Sequence, residues 1–401
     1  MSKLSEGELA ELCSLFVERL QTVVGTDGKV APLHEPRFAG EEWTFVKDCL
    51  DSGWVSSVGS YVDQFEQDLA TACGVEHAVV LVNGTAALEI ALRVGGVCPG
   101  DEVLIPTLTF VATANAVSHA GAIPHFVDSA FDTLGMDPAR LRTYLESIAT
   151  TRDGKLVNTA TDRPITAIVP MHVFGHPVDM DGLSEVAKQF NLPIIADAAE
   201  ALGSNYQGKP VASFGDISAL SFNGNKIITT GGGGAIVTNS RELATRAKHI
   251  TTTAKVPHRW AYTHDEIAFN YRMPNLNAAL GCAQLAQLPT FLEQQREIAK
   301  RYAKTFSNTP GFSIFGEPAN SESNYWLNAV LLSEDNEEAR DSLLNASNDV
   351  GLHCRPVWTT LHRLPIYSSC PRMDLRVAEV LERRIINLPS STQLAERPDA
   401  T

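Results

Sequence analysis

Lys226 stands between an apolar run ending in Ser221-Phe222 and the glycine cluster Gly231-Gly232-Gly233-Gly234. A lysine held by glycine-rich backbone in the middle of an α/β chain has two readings. It is a solvated loop charge, or its amine forms a Schiff base with a carbonyl cofactor, pyridoxal phosphate being the commonest. Asp197 bears on the choice. It closes the apolar run 193–197 and is followed by Ala198-Ala199-Glu200-Ala201-Leu202-Gly203. A carboxylate ending a buried strand is costly unless it is paired. A protonated pyridine nitrogen, an arginine or a backbone cap can each be the partner. The acid and the lysine lie 29 residues apart, at the ends of two successive predicted strands. A third stretch, Asn83-Gly84-Thr85-Ala86-Ala87-Leu88, is a small-residue turn opening a helix. The unpaired N–H groups and positive dipole end of such a turn suit a phosphate; Thr85 as a simple N-cap is the alternative.

Positioning these groups requires a regular scaffold. Short apolar runs at 77–82, 102–105, 123–127, 165–170, 193–197, 216–221 and 234–238 read as strands, several without polar alternation. Strands buried on both faces of a mostly parallel sheet read this way. Helical spacing fits 85–95, 110–120, 180–190 and 241–250. Strands alternating with helices imply a three-layer α/β domain, whose ligands collect beyond the carboxyl ends of the strands. Upstream, 5–24 and 41–52 read as helices, the first a docking helix ahead of the main domain. A long helix at 287–306 leads to a smaller C-terminal domain with strands near 325–332 and 351–355, and the tail after Thr392 is expected to fray. The expected division is an N-terminal helical extension (1–30), a large cofactor domain (31–290) and a small α+β domain (291–401).

The bulk properties exclude several functions. A formal charge of −15 argues against a nucleic-acid or anionic-membrane partner. Seven scattered cysteines without a Cys-x-x-Cys pair suit reduced thiols and offer no zinc site, so no metal is expected. No apolar run approaches the ~18–20 residues of a membrane span, and no secretory leader is recognisable. A soluble cytoplasmic protein is the expectation.

Taken together, five segments resemble the DegT/DnrJ/EryC1/StrS family of pyridoxal phosphate-dependent nucleotide-sugar aminotransferases. They are Asn83 to Leu88, Pro106 to Ala116, Asp197 to Gly203, Ser221 to Lys226 with its glycines, and Asn270-Tyr271-Arg272. Their order and spacing match over roughly residues 30–390. Gly53 to Gly59, Arg355-Pro356-Val357-Trp358 and Ile386 to Ser390 further resemble the LegC-type branch of the legionaminic acid pathway.

The resemblance implies a fold-type I transferase, with a seven-stranded, mostly parallel sheet in the large domain and a homodimer with shared active sites. It implies Lys226 as the cofactor lysine and proton carrier, and Asp197 as partner of the pyridinium nitrogen. Phe110 would cover the ring face, and Gly84, Thr85, Ala86 and Ser221 would surround the phosphate. Glu200, where the family often has glutamine, would reach the ring hydroxyl, and Asn270 would reach the phosphate of the neighbouring subunit. The implied reaction moves an amine from L-glutamate to the 4-keto group of a nucleotide-linked 6-deoxy sugar, with UDP-4-keto-6-deoxy-N-acetylglucosamine expected. A sugar dehydratase would have histidine in place of Lys226, and a non-catalytic relative would have lost Lys226 or Asp197.

For the substrate, Trp54, Ser56, Ser57, His172, Arg272, Arg355 and Trp358 are candidates. Each has a structural alternative: a packing loop for the first three, a satisfied histidine for His172, a salt bridge for each arginine and small-domain core for Trp358.

Overall fold

The computed structural model describes residues 5–25 and 30–397. The sheet that carries the site uses β1 (His77–Leu81), β2 (Glu102–Pro106), β3 (Ile123–Val127), β6 (Arg163–Ile168), β7 (Ile195–Asp197), β10 (Ile217–Ser221) and β11 (Gly234–Thr238). A hairpin, β4 (Ala149–Arg152) and β5 (Lys155–Asn158), precedes β6, and a shorter one, β8 (Asn205–Tyr206) and β9 (Lys209–Pro210), follows β7. Bridges Ile168↔Ile194 and Met171↔Asp197 join β6 to β7, so the order is β1-β11-β10-β7-β6-β2-β3. Of these seven, β11 alone runs against its neighbours. The predicted seven-stranded, mostly parallel sheet is present. β2 and β11 are buried along their whole length, which is why Val103 to Ile105 and Ala235 to Val237 read as apolar runs without polar alternation.

The helices α4 (Gly84–Val94), α5 (Val111–His119), α7 (Met180–Phe190) and α8 (Arg241–Thr251) fall within two residues of their predicted bounds. Helix α4 packs on β10 and β11, which sets its N-terminal turn beside the end of β10. Helical spacing did not reveal α3 (Ser60–Ala72) or α6 (Pro138–Ile148). Phe65 and Leu69 of α3 are nevertheless fully buried.

A second core lies around the antiparallel sheet β12-β14-β16-β15, built from β12 (Phe312–Ile314), β14 (Asn328–Leu332), β15 (Arg355–Pro356) and β16 (Ile385–Leu388). Helix α1 (Glu6–Val24) starts at a capping box formed by Ser5 and Glu8 and buries Phe16, Leu20, Val23 and Val24. Those side chains join Ile298, Tyr302, Phe306 and Phe312 in this second core, not the main sheet. Residues 392–396 form a short 3-10 helix with Leu394 buried, where fraying was expected; residues 398–401 lie outside the described part, as do 1–4 and 26–29 of the expected N-terminal extension. Among the described residues no helix is long and apolar enough to cross a membrane.

Candidate active site

The carboxyl ends of β1, β7 and β10 open into one cleft of about 360 Å³, lined among others by Gly84, Thr85, Asp197, Glu200, Ser221 and Lys226. That size falls in the range of small-molecule sites. β10 pairs with β7 in parallel, with Ala219 opposite Asp197, so the acid and the lysine-bearing turn leave adjacent strands. Asp197 is buried, accepting from the Thr113 hydroxyl at 2.7 Å and the Ala199 N–H at 3.2 Å. Burial raises its pKa above the ordinary carboxylate value, more than Thr113, the Ala199 N–H and Lys226 lower it.

Lys226 lies in a turn in which its N–H donates to Asn223 O. Its Nζ donates to Glu200 Oε1 at 3.2 Å. The other Glu200 oxygen accepts from the Phe174 N–H at 2.9 Å. Burial raises the Glu200 pKa too, with Lys226 the main opposing influence. A buried carboxylate held this way is oriented by both of its oxygens.

The phosphate end is shaped by absent side chains. Asn83 caps α4 by accepting from the Ala86 N–H at 2.8 Å. A Cβ on Gly84 would lie 2.7 Å from Ser221 Cβ, and one on Gly234 2.4 Å from Asn83 O. Only glycine lets β11 and the α4 turn approach this closely, which leaves N–H groups of the first turn facing the cleft beside Ser221. A pyridoxal phosphate fits these residues: clustered donors at one end, a buried carboxylate, and a lysine amine at the cleft wall.

Phe110, at the N-terminus of α5, lines the cleft and is 51 % exposed. Trp358 also lines it, 6.5 Å from Phe110 and 5.2 Å from Phe174.

Other predicted residues lie elsewhere. The Ala86 N–H is taken by Asn83, and Ala86 is buried outside the cleft lining. His172 is fully buried, with Nδ1 accepting from the Val178 N–H and Nε2 without a protein partner; burial pushes its pKa down to about 3. Arg272 makes a buried ion pair at 2.5 Å through one guanidinium nitrogen with Glu66, itself bonded to the Val80 N–H, and lies outside the cleft lining. Arg355 is exposed, with its guanidinium donating to Asn348 Oδ1 and Cys354 O, away from the cleft.

Trp54 and Ser56 are exposed and Ser57 half-buried on a loop held by Asn275, outside the cleft of their own chain. Asn270 is likewise exposed and outside it. Sequence reasoning missed Thr113, Asn225 and Trp326. Thr113 follows Phe110 by one helical turn and could have been found by that spacing. Trp326 belongs to the main core, just before β14, and has no local signal.

The DegT/DnrJ/EryC1/StrS aminotransferase family model matches residues 36–399. A GDP-perosamine synthase of Escherichia coli O157:H7 is 40 % identical over 92 % of this chain and 95 % of its own. A UDP-4-amino-4,6-dideoxy-N-acetyl-beta-L-altrosamine transaminase of Campylobacter jejuni is 37 % identical over 75 % of this chain and 77 % of its own. The putative sugar aminotransferase Spr1654 of Streptococcus pneumoniae, solved in its PMP form, superposes with a TM-score of 0.82 at 26 % identity, covering 91 % of this chain and 93 % of that one. The chain therefore belongs to the DegT/DnrJ/EryC1/StrS aminotransferase family, as a pyridoxal phosphate-dependent sugar aminotransferase.

Proposed function

We propose that this chain moves an amine from L-glutamate to the 4-keto group of a nucleotide-linked 6-deoxy sugar, in two half-reactions through one cleft. The observation that carries this reading is the convergence of Lys226 Nζ, the buried Asp197 and the α4 turn on a single space. Bound pyridoxal phosphate supplies an electron sink for the carbon that loses its proton. Asp197, kept in place by Thr113 and the Ala199 N–H, presents negative charge to the ring nitrogen. Gly84, Thr85 and Ser221 would hold the phosphate, and Phe110 would pack against the ring. Lys226 Nζ would be the group that takes up and returns the proton. Glu200 keeps that amine aimed into the cleft.

On the resemblance to the LegC-type branch, the sugar is a UDP-linked N-acetyl sugar. A GDP-linked sugar is the second reading, favoured by the GDP-perosamine synthases among the relatives. The chain works as a homodimer. Trp43, Trp54 and Val58, 80 %, 58 % and 66 % exposed along α2 (Glu42–Ser52) and the loop after it, form the apolar face that a second copy would cover. The loop carrying Trp54, Ser56 and Ser57, together with Asn270, then completes the neighbouring site. An active species sedimenting as a monomer would overturn this part.

The test incubates the enzyme with glutamate and, separately, UDP-, GDP- and dTDP-4-keto-6-deoxy sugars, reading products by mass. One of them should gain an amine in place of its ketone. Borohydride reduction followed by digestion should leave the pyridoxyl group on the Lys226 peptide. Turnover by Lys226→Ala would refute the assignment.

A further inference from the structure

Trp326 offers the free lysine amine a second partner. Its ring lies under Lys226 Nζ, 4.0 Å from the ring centroid, on the wall of the cleft. The indole is 4 % exposed and cannot swing away freely, because its Nε1–H donates to Asn225 O at 2.6 Å, next to the lysine itself. The backbone is fixed as well. Tyr325 adopts a left-handed φ of 50°, and the Trp326 N–H donates to Asn324 Oδ1 at 2.8 Å, an Asx turn.

The same Asn324 side chain donates through Nδ2 to Glu200 O at 2.8 Å and Leu202 O at 2.9 Å. One buried asparagine thus brackets both the tryptophan and the carboxylate that flank Lys226 Nζ. An ammonium between a carboxylate and an indole face is held by an ion pair and by a cation–π contact, which strengthens when desolvated.

We propose that Trp326 and Glu200 form a dock for the free amine of Lys226, and that Trp326 is a positioning residue for amine transfer. Lys226 is free whenever the amino group in transit is carried by the cofactor. The dock then keeps Nζ at the cleft wall, close enough to move a proton and out of the path of the incoming sugar. This rests on Lys226 being the cofactor lysine, yet it is separable from that assignment. The dock is read in protein without cofactor, whereas the lysine assignment is read by borohydride trapping.

The test uses full-length protein labelled with [ε-13C]lysine, cofactor-free and again after loading with pyridoxamine phosphate. The Lys226 signal is identified by its loss in Lys226→Arg. Over an indole face its ε-CH2 protons should be displaced upfield of the other lysines. Trp326→Phe should retain part of the displacement, and Trp326→Leu should abolish it. In turnover, Trp326→Leu should lower kcat by up to about thirtyfold, the rate equivalent of a desolvated cation–π contact, with KM for the sugar within about twofold of wild type. An undisplaced Lys226 signal in the wild-type protein would overturn the proposal, and that measurement stands even if Trp326→Leu does not fold. A displaced signal unmoved by Trp326→Leu would overturn it equally.

Discussion

Asp197→Asn should have opposite effects on the cofactor-free protein and on catalysis. The substitution is isosteric and the structure can satisfy it. An amide oxygen can keep the Ala199 N–H, and the amide nitrogen can donate to Thr113, whose own proton can pass to the Thr109 hydroxyl 2.9 Å away. What disappears is the buried charge. In the folded state the Asp197 pKa is raised, so between its unfolded value of 3.8 and its folded value the native state binds more protons than the unfolded one. Its contribution to stability therefore falls as pH rises through that window, and the penalty is complete once the pH is above the folded value. Cofactor-free Asp197→Asn should melt above the wild type at pH 7.5, and the difference should vanish as the pH falls toward 3.8.

With cofactor the sign reverses. Removing one partner of a buried charge pair costs about 3–5 kcal/mol. At 1.36 kcal/mol per tenfold, that is a rate loss of roughly 10²–10⁴ in each half-reaction. Melting by circular dichroism, and single-turnover absorbance with glutamate, measure the two arms. A variant within about threefold of wild-type rate at full cofactor occupancy would refute the charge-pair reasoning. A cofactor-free variant melting below wild type would refute the burial argument.

Gly234→Ala should weaken cofactor binding and cost about 1–3 kcal/mol of stability, because its Cβ would lie 2.4–2.6 Å from the Asn83 carbonyl and the Gly84 nitrogen. Gly316→Ala, outside the cleft and meeting nothing within 4 Å, is the control; equal behaviour of the two in melting and cofactor titration would count against the cradle. His172 and His176 are both fully buried and held neutral, with pKa values near 3 against an ordinary 6.5. The unfolded chain binds their protons first, so stability should drop as pH falls below about 6.5, each histidine adding up to about 1.4 kcal/mol per pH unit. Denaturant melts at several pH values measure the slope, and His172→Gln should change it by one proton relative to wild type; an identical slope in wild type and His172→Gln between pH 6.5 and 5 would contradict the assignment.

What the sequence determined by itself was local or repetitive. Unbroken apolar runs mark strands buried on both faces. Their alternation with helices implies a parallel sheet, and the ends of such strands are where Asp197, Ser221 and Lys226 stand. The glycines around Asn83 and Gly234 were visible as small residues, though their reason, two backbones in contact, was not.

Only the tertiary structure decided which polar groups were already engaged. Arg272 is taken by Glu66, 206 positions away in the chain. Trp326 reaches the lysine turn from 101 positions beyond Asn225. Periodicity reports which face of an element is buried, but carries no information on what it is buried against. Contacts between distant segments depend on how the two cores close on each other, and that closure sets which side chains remain free to do chemistry.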